Sequence, residues 1–510
     1  MNKFSLHETF SRSGEWFSPE TPGSHISGSL TLSPERITLD LNAAFAPAVG
    51  DFSITDPPVI HSVIHGVTSD GDLISLMRPV RTGLRTNLGS GGFRQREKFA
   101  CSTAIIGGHL SEAQKFRSAR FEVPGLSAWL DRSPIAHELI SEGGKGFSAE
   151  QFVRSRVEPE ITRVDTARCE IRWGVGTNNR ANVYRRVEIS VYGWIEIIPD
   201  EPQCLEWFLD QHETISSMLT FFAGVDMPAE KISLRLEDAR DEVHLFVAQG
   251  DVQYCALEHP LDFYFPRRVT SASLQDLVWK WFSEIESVET PSKLAVSTLN
   301  SKGLWLHVKF LSLAQILEGF HRGRFAGDYM SSEDYEEVKK VLSSAIPARL
   351  ASDHKDSLRS RIRYGNQLSL SRRLNELADQ FDGPLAKMIF GLNGKVPRTW
   401  VDTRNYFTHW DVELDKSALH DQGLYDASIR MEVFVRSLFL MLMGISSEEL
   451  TRALAGRHRT SQRLAQINTI DAHRADPSRP KGVLYSVRTG KTSHNGDEAR
   501  DGDNPAAEPR

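Results

Sequence analysis

The chain is poor in cysteine. Only Cys101, Cys169, Cys204 and Cys255 occur, and no two form a C-x-x-C pair. Cysteines alone therefore offer no zinc site, and the scatter fits a reducing compartment. Long apolar runs are missing too. The longest, from Val433 to Met443, contains Arg436 and is too short to span a bilayer. Residues Met1 to Glu8 lack the apolar core of a signal peptide. A cytoplasmic protein without membrane contact is the expectation. Positive charge is not in excess: the net charge of −7 excludes a surface coated for general nucleic-acid binding, so any such contact must come from a local basic patch. G-x-S-x-G and H-E-x-x-H are both absent, which counts against a hydrolase built on the N-terminal half. Gly89-Ser90-Gly91-Gly92, followed by Arg94, Arg96 and Lys98, lacks the G-K-[ST] of a phosphate-binding loop and reads as a flexible loop.

Two periodicities are present. Over residues 1–265 the apolar residues alternate, as in strands. Ile26, Leu30 and Leu32 face Ile37, Leu39 and Leu41 across a Ser33-Pro34-Glu35-Arg36 turn. Ile232, Leu234 and Leu236 pair similarly with Val243, Leu245 and Val247. One helix interrupts, near Leu205 to Phe222. The expectation is a β-sandwich or a large antiparallel sheet with added helices, within an α+β chain.

From about residue 270 the spacing becomes three and four. Ser273 opens a helix carrying Leu274, Leu277, Trp281 and Ile285 on one face. Leu306, Phe310, Leu313, Leu317 and Phe320 form one stripe, and further helices are predicted over Arg398–Trp410 and Leu424–Met443. Residues 266–455 thus read as an all-α bundle. Residues 456–510 lose the pattern and are expected to be disordered.

Within the helical half, Arg404-Asn405-Tyr406-Phe407-Thr408-His409 places a histidine five positions after an arginine. Arginine presents a planar fork that fits phosphate, and histidine moves protons near neutral pH. The R-x4-H spacing recurs at Arg132/His137, which contains Pro134, and at Arg349/His354, which follows Pro347. Only Arg404/His409 has a polar residue directly after the arginine together with a flanking helical pattern. A purely structural reading competes: Arg404 would pair with Asp402 or Asp411, and His409 would sit at a helix C-terminus, where a cation is favoured.

These residues resemble the R-x4-H signature of HEPN ribonucleases. The stretches Leu313 to Arg322, Leu368 to Leu374 and Arg404 to Trp410 resemble the HEPN domain of ApeA-like anti-phage proteins. Gly14-Glu15-Trp16-Phe17-Ser18-Pro19 and Ile26-Ser27-Gly28-Ser29-Leu30 resemble the ApeA N-terminal domain, so the likeness spans about residues 10–450. It implies RNA cleavage that halts an infected cell, a sensing or restraining N-terminal domain, a phage-derived trigger, RNA such as tRNA as substrate, and a homodimer or higher homo-oligomer. No cofactor and no metal are implied.

The candidate catalytic residues are Arg404, Asn405 and His409. On a helix, positions five apart lie about 140° apart and positions four apart about 40°. Asn405 and His409 share a face and Arg404 does not. Either His409 stands where the helix ends, or two copies pool their motifs. Arg359, Arg361, Arg363, Arg372 and Arg373 are candidate RNA-backbone contacts, with a solvated helix face as the competing reading. Glu318 and His321, three apart on the striped helix, are candidate supports. Tyr406 and Trp410 are candidate stacking residues that also suit packing. The alternative function is a non-catalytic module in which the bundle only dimerises and the sheet-rich half recognises a ligand.

Overall fold

A computed structural model describes residues 4–45, 61–89, 92–140, 149–182, 185–237, 242–250 and 257–476. Of the two arrangements that strand alternation allows, the N-terminal half forms the large sheet. Fourteen strands join in one hydrogen-bonded sheet, and all of its pairs are antiparallel. Strand Ile26–Leu32 buries every second residue, and pairs Leu30 with Leu39 of Ile37–Leu41 as the alternation predicts. The Ile232 and Val243 strands also pair. The glycine-rich stretch read as a flexible loop joins two paired strands, Val80–Gly89 and Gly92–Cys101. Ser90 and Gly91 lie outside the described residues, as does Cys255.

Two helices accompany the sheet, α1 (Leu126–Trp129) and α2 (Leu205–Ala223). Twelve more follow: α3 (Leu274–Glu284), α4 (Glu289–Asn300), α5 (Leu306–Arg324), α6 (Ser332–Ser344), α7 (Ser352–Arg363), α8 (Leu370–Ala378), α9 (Gly383–Phe390), α10 (Arg398–His409), α11 (Val412–Asp415), α12 (Asp421–Leu442), α13 (Ser447–Leu454) and α14 (Arg459–Ala475). The Ser273 hydroxyl caps α3 by accepting from the Asp276 amide, and Ser331 caps α6 in the same way.

The stretch 456–510, expected to be disordered, is helical over α14. The reason lies in its buried face. Leu464 and Ile467 are its aliphatic part. Ala472, Thr460 and Ser461 are buried beside them, and the half-buried Asn468 and Asp471 accept from the Arg430 guanidinium of α12 at 2.8 and 2.7 Å. A face whose partner is a buried arginine leaves a weak hydrophobic period. Residues 477–510 lie outside the described residues.

Helix α12 is the axis of the bundle and joins it to the sheet-rich half. Its Phe439 stacks on Phe221 of α2 with ring centroids 4.4 Å apart and meets Phe320 of α5 edge-on at 5.1 Å. Arg436 is 1% exposed. Its Nη2 donates to the Gly224 carbonyl at 3.0 Å and to Glu432 at 3.3 Å. Lys309 of α5 reaches the other Glu432 oxygen at 2.8 Å. A buried charge is tolerable only when paired and hydrogen-bonded, and this network meets the condition while joining α2, α5 and α12. No helix among the described residues is long and apolar enough to cross a membrane.

Candidate functional site

Helix α10 is seated by its inner face. Trp400 is buried and meets Phe390 of α9 at 6.0 Å. The buried Thr403 hydroxyl accepts from the Leu419 amide at 2.8 Å. Phe407 continues this face against His307, at 5.7 Å. Residues 400, 403 and 407 repeat at helical spacing; Arg404, four on from Trp400, lies half-buried at the margin of that face, while Thr408 and His409 are exposed beyond it.

Arg404 turns toward α5. Its Nη2 lies 3.5 Å from Glu318 Oε2, and its Nη1 donates to Asn405 Oδ1 at 3.1 Å. It does not pair with Asp402, which stands 3.9 Å from Arg398, nor with Asp411, which caps α11 by accepting from the Glu413 amide. Arg404 and Thr408 line one wall of an open cleft of about 490 Å³, and Gln315, Glu318 and Arg322 line the other. Two guanidinium groups thus flank one carboxylate, because Arg322 donates to Glu318 Oε1 at 3.0 Å.

His409 is the last residue of α10, as one of the two sequence expectations had it. Trp410 follows with φ 54, a left-handed conformation that ends the helix. The His409 side chain is exposed and outside the cleft lining.

The two other R-x4-H matches lie elsewhere. His137 sits on a two-stranded sheet and stacks on Phe152, while His354 lies exposed in the first turn of α7.

Segment 11–281 matches the model of ApeA N-terminal domain 1, and segment 311–449 matches that of the Apea-like HEPN domain. The chain belongs to the ApeA-like HEPN family. No curated protein and no solved structure matches it.

Within this HEPN half, the candidate supports separate. Glu318 touches Arg404. His321, one turn on, faces away and is fully buried. Arg373 donates to His321 Nδ1 at 3.0 Å, and Nε2 lies 2.8 Å from Glu376. Arginine can only donate, so Nδ1 accepts and Nε2 carries the hydrogen given to Glu376. That bond, followed by those from Arg372, holds the Glu376 carboxyl below its ordinary pKa. Both ring nitrogens are thus engaged inside the fold.

The candidate RNA contacts divide the same way. Arg373 is 1% exposed and also donates to the Leu368 and Gly327 carbonyls, so it braces the junction of α5 and α8 from inside the fold. Arg372 pairs with Glu376 at 2.7 Å, and Arg359 with Asp356 at 2.9 Å. Arg359, Arg361 and Arg363 are exposed on α7, which buries no residue.

Tyr406 packs among Phe407, Trp410 and His420, at 5.1, 6.0 and 5.6 Å. Its hydroxyl bonds Asp415, which raises its pKa. Trp410 is exposed at the edge of this cluster. Arg322 was missed by the sequence reading, although its spacing of four from Glu318 was a usable signal. Thr408 carried none.

Proposed function

We propose that this chain is a HEPN endoribonuclease that uses the RNA's own 2′-hydroxyl as nucleophile and acts in anti-phage defence by stopping the infected cell. The observation that carries the reading is a tethered, half-exposed Arg404 and an exposed His409 at the C-terminal end of the same helix. Arg404 binds the scissile phosphate and offsets the charge that grows in the transition state. His409 takes the 2′-hydroxyl proton. The 2′-oxygen attacks phosphorus, and the bond to the 5′-oxygen breaks as that oxygen gains a proton. The products are a 2′,3′-cyclic phosphate and a 5′-hydroxyl. Asn405 holds the Arg404 fork at 3.1 Å.

Arg404 faces the α5 cleft and His409 does not line it. Two copies with facing α10 helices answer this, each lending an arginine to the other's histidine. A dimer also supplies one histidine as base and a second as acid.

The test is cleavage of purified tRNA and total RNA, with EDTA present, by the wild type and by His409→Ala. The expected result is cleavage by the wild type alone, with cyclic phosphate ends. A His409→Ala protein that folds, dimerises and still protects cells would overturn the reading in favour of a binding module.

A further inference from the structure

The sheet-rich half holds a second cleft, of about 750 Å³, that the nuclease chemistry leaves unused. Gly176 and Trp194 line it, on two paired strands in which Gly174 stands opposite Trp194 and Gly176 opposite Tyr192. A Cβ at Gly174 would come within 2.2 Å of the Trp194 ring, and one at Gly176 within 2.5 Å of the Tyr192 ring. Only glycine allows these rings to lie so close across the neighbouring strand. The Arg120 guanidinium stacks on Trp194, 4.4 Å from its centroid, and donates to Glu196 at 3.2 Å. Glu196 is buried and held by the Ser118 hydroxyl at 3.3 Å. Arg120 is thereby fixed in place on an aromatic floor.

Three more arginines line the cleft, against two glutamates, Glu158 and Glu196. Arg156 pairs with Glu158 at 2.9 Å, and Arg172 with Glu170 at 2.7 Å. Arg154 is exposed and has no ion-pair partner among the described residues. Guanidinium forks match phosphate oxygens. Guanidinium planes and aromatic rings also stack on nucleobases. Both recognition elements meet in one cavity, whose volume falls in the range of about 300–1,000 Å³ typical of small-molecule sites.

We propose that this cleft binds a free nucleoside triphosphate. Its phosphates meet Arg154 and Arg172, and its base lies on the Arg120–Trp194 stack. Ile161 of the cleft stands on strand Glu160–Val164, which packs on α3 at the junction of the two halves. The Arg163 amide and carbonyl on that strand bond the Gln275 side chain of α3 at 2.7 and 2.9 Å. Occupancy is therefore positioned to be felt by the helical half.

The experiment is calorimetric titration of the full-length chain with ATP, GTP, CTP and UTP, and with inorganic triphosphate, adenosine and a ten-nucleotide RNA as controls. At least one nucleotide should bind saturably, at least about ten-fold more tightly than either inorganic triphosphate or adenosine, a difference of about 1.4 kcal/mol. Arg154→Ala and Arg172→Ala, at surface positions, should each weaken it about ten-fold without changing the circular dichroism spectrum. His409→Ala should bind as the wild type does, so this site stands or falls apart from the nuclease reading. No saturable heat from any nucleotide, unchanged affinity in both arginine variants, equal affinity for inorganic triphosphate, or tighter binding of the RNA would each overturn the proposal.

Discussion

Glu318 Oε2 lies 3.5 Å from Arg404 Nη2, while Oε1 of the same carboxylate accepts from Arg322 at 3.0 Å. Arg404, the arginine proposed to bind phosphate, is thus already beside an anion. A partly exposed pair of this kind contributes about 1 kcal/mol or less. On the proposed mechanism it nevertheless stands where a phosphate approaches Arg404.

Glu318→Gln should lower KM for RNA by about three- to five-fold and leave kcat near the wild-type value, since it removes repulsion common to the bound and transition states. Initial rates over a range of RNA concentrations decide this. A fall in kcat instead would make Glu318 a positioning residue for Arg404.

His409→Ala should abolish cleavage, by about 10²–10⁴-fold, with almost no effect on stability. Its side chain is exposed at a helix end and outside the cleft. Single-turnover cleavage and thermal melting of the same preparations provide the check.

Arg373→Met should destabilise the protein by roughly 3 kcal/mol, because it strips donors from His321 and two carbonyls in a buried site. Arg361→Ala should leave stability within about 0.5 kcal/mol, as it is an exposed position on a helix that buries nothing. Urea unfolding separates the two. If Arg361→Ala also weakens RNA binding with a shallower salt dependence, α7 is a backbone contact.

Stability should fall between pH 6.5 and about 4. Burial, reinforced by the Arg436 and Arg459 charges, lowers the His458 pKa to about 4, and burial lowers His7 and His212 to about 4 as well. The unfolded chain takes up protons near pH 6.5, before the native state does, so the contribution of the neutral rings is full above 6.5 and lost on acidification. His458 also caps α14 by accepting from the Thr460 amide, a role asparagine performs well. His458→Asn should therefore keep the cap and flatten part of the pH dependence of the urea midpoint.

The strand pairs were legible because they carry their own period, alternation around Leu30 and Leu39, and the helix read over Arg398–Trp410 matches α10 to within one residue. The environment of that motif was not legible. Arg404 meets a carboxylate eighty-six positions earlier in the chain, at Glu318, a distance that no local spacing encodes. Arg373 looks like every other surface arginine until its three hydrogen bonds are seen. The α14 helix was hidden because its buried side is built to satisfy Arg430.

The Arg436 network has a consequence for control. Helix α12 gives Phe439 to a stack on Phe221 and Arg436 to the Gly224 carbonyl, both in the sheet-rich half. Clipping the chain between the halves and pulling them apart would take the Thr220 and Gly224 carbonyls from Arg436 and bare an aromatic surface. The segment that carries Arg404 and His409 is thus joined to the sheet-rich half through its own central helix, so a cut in the connecting chain would not by itself separate the two.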